Sequence, residues 1–376
     1  MNLTETIKDF ALSIGYDRVG VASVEDFTFF REQVEARPEM YEWAVQGFMQ
    51  VLSGVSPTRV MPSARSIIVT ITDLLKESFP DSLVGSIGRL YLARFFKSQR
   101  YVVHSVRLKL MRDFLQEQGL TIEKRMTIPA RQSAVRAGLA TFGRNNFAFA
   151  EGLGSYFGIT TFLVDADLDH DEPTFSAPCP EGCRLCVDAC PSGSLYEPFH
   201  MDPRKCVAYV SYAGTGLVEG RTPGSIPLSM RKKMGRWIYG CDACQDVCPR
   251  SRAKLKVKPP VDAYMASVAG NLTPSALLNL SDEHFTERVL PVLYYIYEKK
   301  YYQRNAAVAI GNAGDRKGVP SLIQALSDPE PLVRGHSAWA LGELGGRNAR
   351  LALEAGRGRE SDPETLREIE TALARL

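Results

Sequence analysis

Two stretches of the chain share one pattern of cysteines: Cys183-Arg-Leu-Cys-Val-Asp-Ala-Cys-Pro191 and Cys241-Asp-Ala-Cys-Gln-Asp-Val-Cys-Pro249. Each follows the spacing C-x2-C-x3-C-P, and one further cysteine precedes each copy, at Cys179 and Cys206. All 8 cysteines of the chain lie between positions 179 and 248. Two copies of this run, each ending in Cys-Pro, predict a ferredoxin-type domain that carries two [4Fe-4S] clusters.

The ligands of the two clusters follow from the spacing. In two-cluster ferredoxins, the cysteine after the longer gap binds the other cluster. We therefore predict two quartets, which together use every cysteine: the first is Cys179, Cys183, Cys186 and Cys248, and the second is Cys190, Cys206, Cys241 and Cys244. The spacing between the first two cysteines, C-x3-C, departs from the ferredoxin pattern and predicts a slightly different loop there.

Two zinc sites of four cysteines each are the alternative interpretation. Zinc ribbons, however, usually present two C-x2-C knuckles per site and lack the recurring x3-C-P ending. The pattern favours clusters. A reducing compartment disfavours a disulfide framework and favours metal binding. We expect that compartment to be the cytoplasm, because the N-terminus lacks the basic and apolar regions of a signal peptide and no run of 18 apolar residues predicts a membrane span.

The bulk composition is that of a globular protein. The 376 residues leave room for two or three domains. Hydrophobic residues make up 45% and charged residues 23%, which argues against disorder. The formal net charge is only +2, so any basic surface must be local. The basic runs at 231–233 and 250–258 flank the last cysteine motif, and each is read either as a solvated face or as a partner surface.

Three regions differ in sequence texture. The first, 1–170, alternates helical patterns with apolar runs: an amphipathic helix before Gly15, strands at Val19–Ala22, Ser66–Leu75 and Tyr156–Leu168, and a long helix from about Ala93 to Gln118, ended by Gly119. The second, 171–260, is rich in Cys, Pro and Gly, as expected where metal clusters replace an apolar core. We predict an α+β chain with an α/β domain at 1–170, a double-cluster domain at 171–260 and a helical domain at 261–376.

The last region contains an internal repeat. The segments 305–314 and 336–345 align without gaps at a spacing of 31 residues and share two alanines and two glycines. A second apolar helical segment follows each copy, at Val319–Leu326 and Ala349–Ala355. This period predicts a HEAT-like solenoid, which serves either as a stabilising cap or as a concave partner-binding surface.

With these motifs the chain resembles the epoxyqueuosine reductases, cobalamin-dependent iron-sulfur enzymes of queuosine tRNA modification. The resemblance extends along nearly the whole length and keeps the order of the motifs. Besides both cysteine runs, the matching pieces are Ile14–Ala22, Met61–Ile68, Arg136-Ala-Gly-Leu-Ala-Thr-Phe-Gly-Arg-Asn145, Leu153–Ser155, Tyr239–Asp242 and Leu332–Gly342.

The resemblance implies a base-off cobalamin between the first region and the cluster domain, which makes 1–170 a cobalamin- and substrate-binding domain. It places the corrin against Arg144, Asn145, Gly154 and Ser155. It also implies a ferredoxin or flavodoxin as electron donor, tRNA as a partner, and epoxyqueuosine in a tRNA anticodon loop as substrate.

One part of the family pattern is missing. The family's proton donor is an Asp shortly before the Arg-Ala-Gly segment, but its position falls near Ala130, and no Asp lies between 120 and 136. A positioned general acid contributes about 10²- to 10⁴-fold to a rate, and alanine has no proton to give. Tyr101, His104 and Arg131 are the candidate replacements, although a histidine on a helix more often has a structural role. The other histidines, at 170, 200, 284 and 336, receive no site role.

The missing acid keeps other functions open. The first alternative is a paralogous corrinoid reductase, or a reductive-dehalogenase-like enzyme, that acts on a small molecule. The second is an electron-transfer partner that reactivates the corrinoid of another protein and has no substrate of its own. The third is an interaction module in which the clusters are structural and the solenoid binds a partner.

Overall fold

A computed structural model describes residues 2–46, 50–93, 103–123, 128–174, 179–213, 224–293 and 295–376. Its first region contains the following elements in chain order: α1 Leu3–Ser13, β1 Arg18–Ser23, α2 Thr28–Glu35, α3 Pro38–Gln46, α4 Pro57–Val60, β2 Ser66–Asp73, α5 Arg89–Leu92, α6 Val103–Glu117, α7 Ala130–Arg136, β3 Thr141–Phe142, β4 Ala148–Phe149 and β5 Phe157–Val164. No helix in the described ranges is long and apolar enough to cross a membrane.

A three-stranded antiparallel sheet forms the centre of this region, in the order β1-β2-β5. Strand β2 is buried from Ser66 to Thr72, as its apolar sequence predicts. Its alternate side chains enter two separate cores. Ile68 packs with the residues of α1 and α6 on one face of the sheet, whereas Ile67 and Val69 pack with those of α7 on the other. Helices α6 and α7 therefore lie on opposite faces.

The predicted strands and the first helix are confirmed to within four residues at each end. Asn2 caps α1 through a capping box, because its side chain accepts from the backbone N–H of Glu5 (2.9 Å) and the Glu5 carboxylate accepts from its own N–H (3.2 Å). The long helix does not include Ala93, where its start was predicted. Ala93 has extended backbone angles and follows the short helix α5, and 94–102 lie outside the described residues. Its end before Gly119 is confirmed.

The cysteine-rich region contains short elements, as predicted: α8 Leu185–Asp188, β6 Leu195–Glu197, β7 His200–Met201, a 3-10 turn Pro203–Lys205, α9 Val207–Ala213, α10 Leu228–Arg231, α11 Ala243–Asp246 and α12 Pro249–Lys256. Helices α8 and α11 occupy equivalent places in the two copies of the cysteine motif and pack against each other. A small core of Cys186, Val187 and Leu195 lies beneath them. Little apolar surface surrounds the first cysteine motif, which fits a motif stabilised by a metal cluster.

The C-terminal region is helical throughout its described length: α13 Ala263–Val268, a 3-10 turn Ala269–Leu272, α14 Pro274–Leu278, α15 Asp282–His284, a π-helical turn Phe285–Val289, α16 Lys299–Ala313, a 3-10 turn Arg316–Gly318, α17 Val319–Ala325, α18 Pro331–Leu344, α19 Arg347–Arg357 and α20 Pro363–Ala374. The two repeat copies form α16 and α18, which pack against each other, and the second apolar segments form α17 and α19. The helical repeat is confirmed.

One large apolar core joins the three regions. It contains side chains from 74–93, from 207–239 and from the repeat helices. The segment between β2 and α5 thus packs with the cluster region and the solenoid rather than with the sheet. The clusters would therefore lie in a rigid setting, between the sheet domain on one side and α16 on the other.

Candidate functional site

The structure brings three thiols of the first predicted quartet together. Burial raises the pKa of Cys186, and the charges of Cys248 and Cys179 add to the rise. Burial also raises the pKa of Cys248, again with a contribution from Cys179. Thiols that raise each other's pKa lie close in space. Cys183, the fourth predicted member, lies on the turn that leads into α8 and forms a backbone turn with Pro180.

All four thiols of the second quartet interact. Burial raises the pKa of Cys241 to about 12, with further contributions from Cys206 and Cys190. Burial raises the pKa of Cys244 well above its usual value, with contributions first from Cys241, Cys206 and Cys190 and then from Cys186 of the first quartet. The two quartets are therefore neighbours, as two clusters that exchange electrons must be.

Backbone amides already point at these sulfurs. The N–H of Arg144 donates to Cys179 Sγ, and the N–H of Leu195 donates to Cys190 Sγ, both at 3.4 Å. Hydrogen bonds to ligand sulfurs stabilise added negative charge and so raise a cluster's reduction potential. Among the described residues, no three Cys, His, Asp or Glu side chains converge closely enough for a single metal ion, whereas a four-iron cluster is several ångströms across and takes thiols that stand further apart.

The segment 143–155 joins the sheet domain to both cysteine motifs. The Arg144 guanidinium donates to the carbonyl of Cys183 (2.8 Å), and the Asn145 amide donates to the carbonyl of Cys244 (3.4 Å). Ser155 donates to the side chain of Gln245 (2.8 Å). The side chains of these three predicted corrin contacts thus face the cluster region.

Gly154, the fourth predicted corrin contact, allows the two regions to approach closely. Its φ is +63°, and a Cβ there would lie 2.9 Å from the Cα of Ser251 in α12. A larger residue would need both an unfavourable backbone angle and a wider separation. The glycine is therefore required by packing against α12.

The position of the missing acid lies at the first turn of α7. Ala130 is the first residue of that helix, and Arg131 follows it with an exposed side chain. Within the described part of the chain, the Arg131 guanidinium makes one hydrogen bond, to the carbonyl of Asn146 (2.6 Å). Asn146 has a φ of +64°, which is unusual for a residue with a side chain. Arg131 thus places a cationic hydrogen-bond donor directly after the position of the missing acid.

The other two candidate acids are His104 and Tyr101. His104 is on α6, across the sheet from α7, and burial lowers its pKa to about 4, helped by the charges of Arg107 and Arg112. It is therefore neutral at physiological pH. Tyr101 lies outside the described residues. The structure does not bring His104 to Ala130.

Comparisons with known proteins identify the same regions. A family model described as a 4Fe-4S double cluster binding domain matches residues 179–251, and a model of HEAT repeats matches 290–374. The epoxyqueuosine reductase of Bacillus cereus is 29% identical over 100% of this chain and 97% of its own length, and that of Bacillus subtilis 27% identical over 100% and 96%. The chain belongs to the epoxyqueuosine reductase family.

Solved structures share the whole fold. A selenomethionine-labelled epoxyqueuosine reductase matches with a TM-score of 0.81 at 24% identity, covering 100% of this chain and 99% of its own. An epoxyqueuosine reductase in complex with an epoxyqueuosine-modified stem loop of tyrosine tRNA matches with a TM-score of 0.80 at 24% identity, covering 100% and 98%. The predicted α+β architecture with its double-cluster domain and HEAT-like tail is confirmed.

Family membership also decides the cofactors. The double-cluster model spans all eight cysteines, so the zinc interpretation is wrong and the metal groups are two [4Fe-4S] clusters. The family is cobalamin-dependent, so cobalamin is the third cofactor. The cysteines fit two clusters, because Cys179, Cys186 and Cys248 lie close together and so do Cys190, Cys206, Cys241 and Cys244. The division of the eight ligands between the clusters stays a prediction.

Two features of the described residues bear on where cobalamin could bind: the backbone of the segment 143–155 and the side chain of Arg131. The side chains of Arg144, Asn145 and Ser155 already contact the cluster region. Their backbone atoms are therefore the groups that remain to contact a cofactor. The exposed Arg131 guanidinium lies beside this segment, because it donates to the carbonyl of Asn146. A cavity of about 20 Å³ lined by Arg231, His336 and Glu368 has room for little more than a water molecule and is not a corrin site.

Sequence reasoning missed the ionic contacts that fix the second motif. Arg89 donates from its backbone N–H (2.9 Å) and its guanidinium (3.0 Å) to the buried carboxylate of Asp242, and its guanidinium also bonds Asp246 (2.6 Å). Tyr156 donates to the same Asp246 oxygen (3.1 Å). Aspartates within a cysteine run could have been recognised as candidates for an ion pair. No pattern in the sequence around Arg89 indicates that it is their partner.

Proposed function

We propose that the chain is a cobalamin- and iron-sulfur-dependent oxidoreductase that reduces epoxyqueuosine to queuosine in the anticodon loop of tRNA. The observation that carries the proposal is the set of hydrogen bonds from Arg144 and Asn145 to the backbone of Cys183 and Cys244. Through them the segment beside α7 contacts both cysteine motifs directly. The HEAT-like tail supports a macromolecular substrate, since a relative of the same fold binds a tRNA stem loop.

The cofactors are held in the following way under this proposal. The first quartet binds one cluster and the second quartet the other, with the regions 1–170, 171–260 and 261–376 as substrate, cluster and repeat domains. The backbone of Arg144, Asn145, Gly154 and Ser155 would contact cobalamin. Bound cobalamin supplies low-valent cobalt as the reductant of the substrate.

The protein's own task at the reacting oxygen falls to Arg131. Loss of an epoxide oxygen leaves negative charge that must be stabilised and protonated. Arg131 holds its proton too tightly to be a general acid, but its guanidinium can donate hydrogen bonds to the developing oxyanion. The proton then comes from water or from Tyr101. His104, neutral and on the other face of the sheet, is excluded from this role by the proposal.

A ferredoxin or flavodoxin supplies electrons, and we place the protein in the cytoplasm with its tRNA substrate. The helix α12 directly follows the last cluster ligand, and its sequence Pro249-Arg-Ser-Arg-Ala-Lys-Leu-Lys256 is strongly basic. Arg252 and Lys256 are exposed. Acidic electron carriers and the tRNA backbone both favour such a surface.

The test is reconstitution followed by turnover. The chain would be purified anaerobically, loaded with iron, sulfide and cobalamin, and examined by EPR and visible spectroscopy. It would then be given a tRNA stem loop containing epoxyqueuosine and a chemical reductant, and the nucleosides would be analysed by mass spectrometry. Base-off cobalamin, two reducible clusters and queuosine formation are expected.

The other outcomes separate the rival functions. Cobalamin uptake without queuosine formation refutes the proposed substrate and favours a corrinoid reductase that acts on a small molecule, which the alanine at 130 would suit. Clusters without cobalamin uptake favour an electron-transfer partner of another corrinoid protein. Clusters that no reductant can reduce favour an interaction module.

A further inference from the structure

Two buried polar residues of the first HEAT repeat reach into the cluster region. Arg304 and Asn305 are consecutive residues of α16, and both are fully buried. Polar groups are buried at such cost that each must be hydrogen-bonded. Their partners lie in the cluster region, on the segments that carry the ligands of the second cluster.

Asn305 connects two of these segments. Its amide nitrogen donates to the carbonyl of Ser211 (2.8 Å) and to the carbonyl of Ile238 (2.7 Å). Ser211 belongs to α9, which begins directly after Cys206, and Ile238 lies three residues before Cys241. One side chain of the solenoid thus fixes the backbone beside two ligands of the second quartet.

Ser211 extends the connection to the turn before Cys241. Its hydroxyl accepts from the N–H of Gly240 (3.0 Å) and donates to the carbonyl of Ala208 (2.9 Å). Gly240 has a φ of +76°, and a Cβ there would lie 2.5 Å from the ring of Tyr91. The turn therefore has little freedom to find another arrangement if the Ser211 contact is lost.

Arg304 adds a buried positive charge. Its guanidinium donates to the carbonyls of Val210 (3.1 Å) and Gly224, and its Nε donates to the Asn305 side chain (3.1 Å). Burial lowers the pKa of Arg304 to about 9, so the group stays charged at neutral pH. Among the described residues its hydrogen bonds go to uncharged oxygens.

This charge lies along a short path from a ligand. Val210, in α9, accepts a hydrogen bond from Arg304 with its carbonyl oxygen. Its own N–H donates to the carbonyl of Cys206 (2.9 Å). At about 1.5 Å of rise per residue, Val210 and Cys206 are about 6 Å apart along the helix, and the guanidinium lies one hydrogen bond beyond Val210. A buried cation in this position favours the reduced, more negative state of a cluster on Cys206.

We propose that Arg304 and Asn305 are positioning residues of the second cluster, so that the first HEAT repeat forms part of the iron-sulfur site. The inference rests on the proposed quartet Cys190, Cys206, Cys241 and Cys244. Asn305 holds the ligand segments in register, and Arg304 sets the reduction potential. The solenoid thereby acts on electron transfer as well as on any partner that it binds.

Asn312 offers a matched control for Asn305. It lies on the same helix, and its amide nitrogen also donates to two backbone carbonyls of the cluster region, those of Arg231 (2.7 Å) and Gly235 (2.8 Å). The nearer of these two residues to a cysteine, Gly235, lies six residues before Cys241, twice as far along the chain as Ile238. Asn305→Ala and Asn312→Ala therefore remove similar contacts between the same two regions, but the contacts that the first removes lie closer to cluster ligands.

The experiment is release of iron to a chelator from the chain loaded with both clusters, under anaerobic conditions. Two phases of equal amplitude are expected, one for each cluster. Asn305→Ala should speed one phase by about tenfold, and Asn312→Ala should leave both phases unchanged while both variants lower the thermal midpoint. Equal effects of the two variants on iron release would overturn the proposal.

Cys206→Ala assigns the phases. It should abolish the phase that Asn305→Ala accelerates; if it abolishes the other phase, Asn305 does not act on the second cluster and the proposal fails. Loss of queuosine formation with both phases intact would instead count against the proposed function alone, so the two failures are distinguishable.

The role of Arg304 is tested by the potential of the cluster. In EPR-monitored redox titrations, Arg304→Met should lower the midpoint of one cluster by about 59 mV, which is a tenfold change in its one-electron reduction equilibrium. Arg304→Lys keeps the charge and should keep the midpoint. A lysine variant that shifts as far as the methionine variant would show that the charge is irrelevant and overturn this part of the proposal.

Discussion

The alanine at position 130 invites a gain-of-function test. Ala130 is the first residue of α7, and its side chain is partly accessible. Ala130→Asp would place a carboxyl group where the family has its proton donor. A carboxylate in the first turn of a helix is stabilised by about 0.3–1 kcal/mol, so the fold should tolerate it. If epoxyqueuosine is the substrate, a positioned acid should raise turnover by about 10²- to 10⁴-fold.

The neighbouring cation sets where in this range the result should fall. Arg131 and the helix N-terminus both favour the ionised form of an added carboxyl group and lower its pKa. An acid with a low pKa is mostly ionised at neutral pH and cannot donate. We therefore expect the lower end, about 10²-fold at pH 7, with the rate rising further as the pH falls towards 5.

The assay is single-turnover formation of queuosine by chain loaded with clusters and cobalamin, measured from pH 5 to pH 8. Ala130→Asn is the control, because it has nearly the shape of aspartate but no acidic proton. A similar rate in both variants, or no gain with Ala130→Asp despite full cofactor loading, would refute the reasoning that position 130 faces the departing oxygen of this substrate.

Two further predictions concern stability. Glu360 accepts a two-pronged contact from Arg334 (2.7 and 2.8 Å), which is the main cause that lowers its pKa to about 2. After screening by solvent, we expect this lowered pKa to contribute about 1–2 kcal/mol of stability. The contribution is present above pH 4.5 and is lost as the pH falls towards 2. Glu360→Gln should therefore lose it at pH 7 and flatten the acid limb in denaturant unfolding; equal stability of variant and parent at pH 7 would contradict this. Gly154→Ala should loosen the contact with α12 and lower the free energy of unfolding by about 1–3 kcal/mol more than Gly152→Ala does. Both glycines have a positive φ, but a Cβ at 152 meets nothing within 4 Å. Hydrogen exchange of 249–256 measures the loosening, and equal exchange in both variants would contradict the steric argument.

The sequence predicted what depends on local pattern. The cysteine spacing indicated two clusters because ligand geometry constrains neighbouring residues directly. Strand β2 was predicted because seven consecutive buried residues leave a continuous apolar run. The helices α16 and α18 were found because a repeat preserves its small residues where helices pack closely, as at Gly311 against Ala340.

What the sequence could not indicate depends on contacts between distant segments. Arg89 and Asp242 are 153 residues apart, and neither lies in a pattern that pairs them. Ala93 was predicted as the start of the long helix because apolar residues adjoin it, although its backbone is extended. The position of His104 could not be predicted for the same reason. It is separated from α7 because the sheet lies between α6 and α7.

The repeat itself explains how a solenoid becomes part of a redox protein. At a spacing of 31, Asn305 aligns with His336, and both are buried polar residues in a position that an isolated repeat would fill with an apolar side chain. His336 donates from Nδ1 to the carbonyl of Leu332 (2.7 Å) and accepts the N–H of Ile226 with Nε2 (3.1 Å), so it too bonds backbone of the cluster region. The same position of the two repeats thus connects the solenoid to the cluster region at two points. A cap that only shielded apolar surface would need neither contact, whereas a solenoid that fixes the loops around a metal centre needs directional bonds at both.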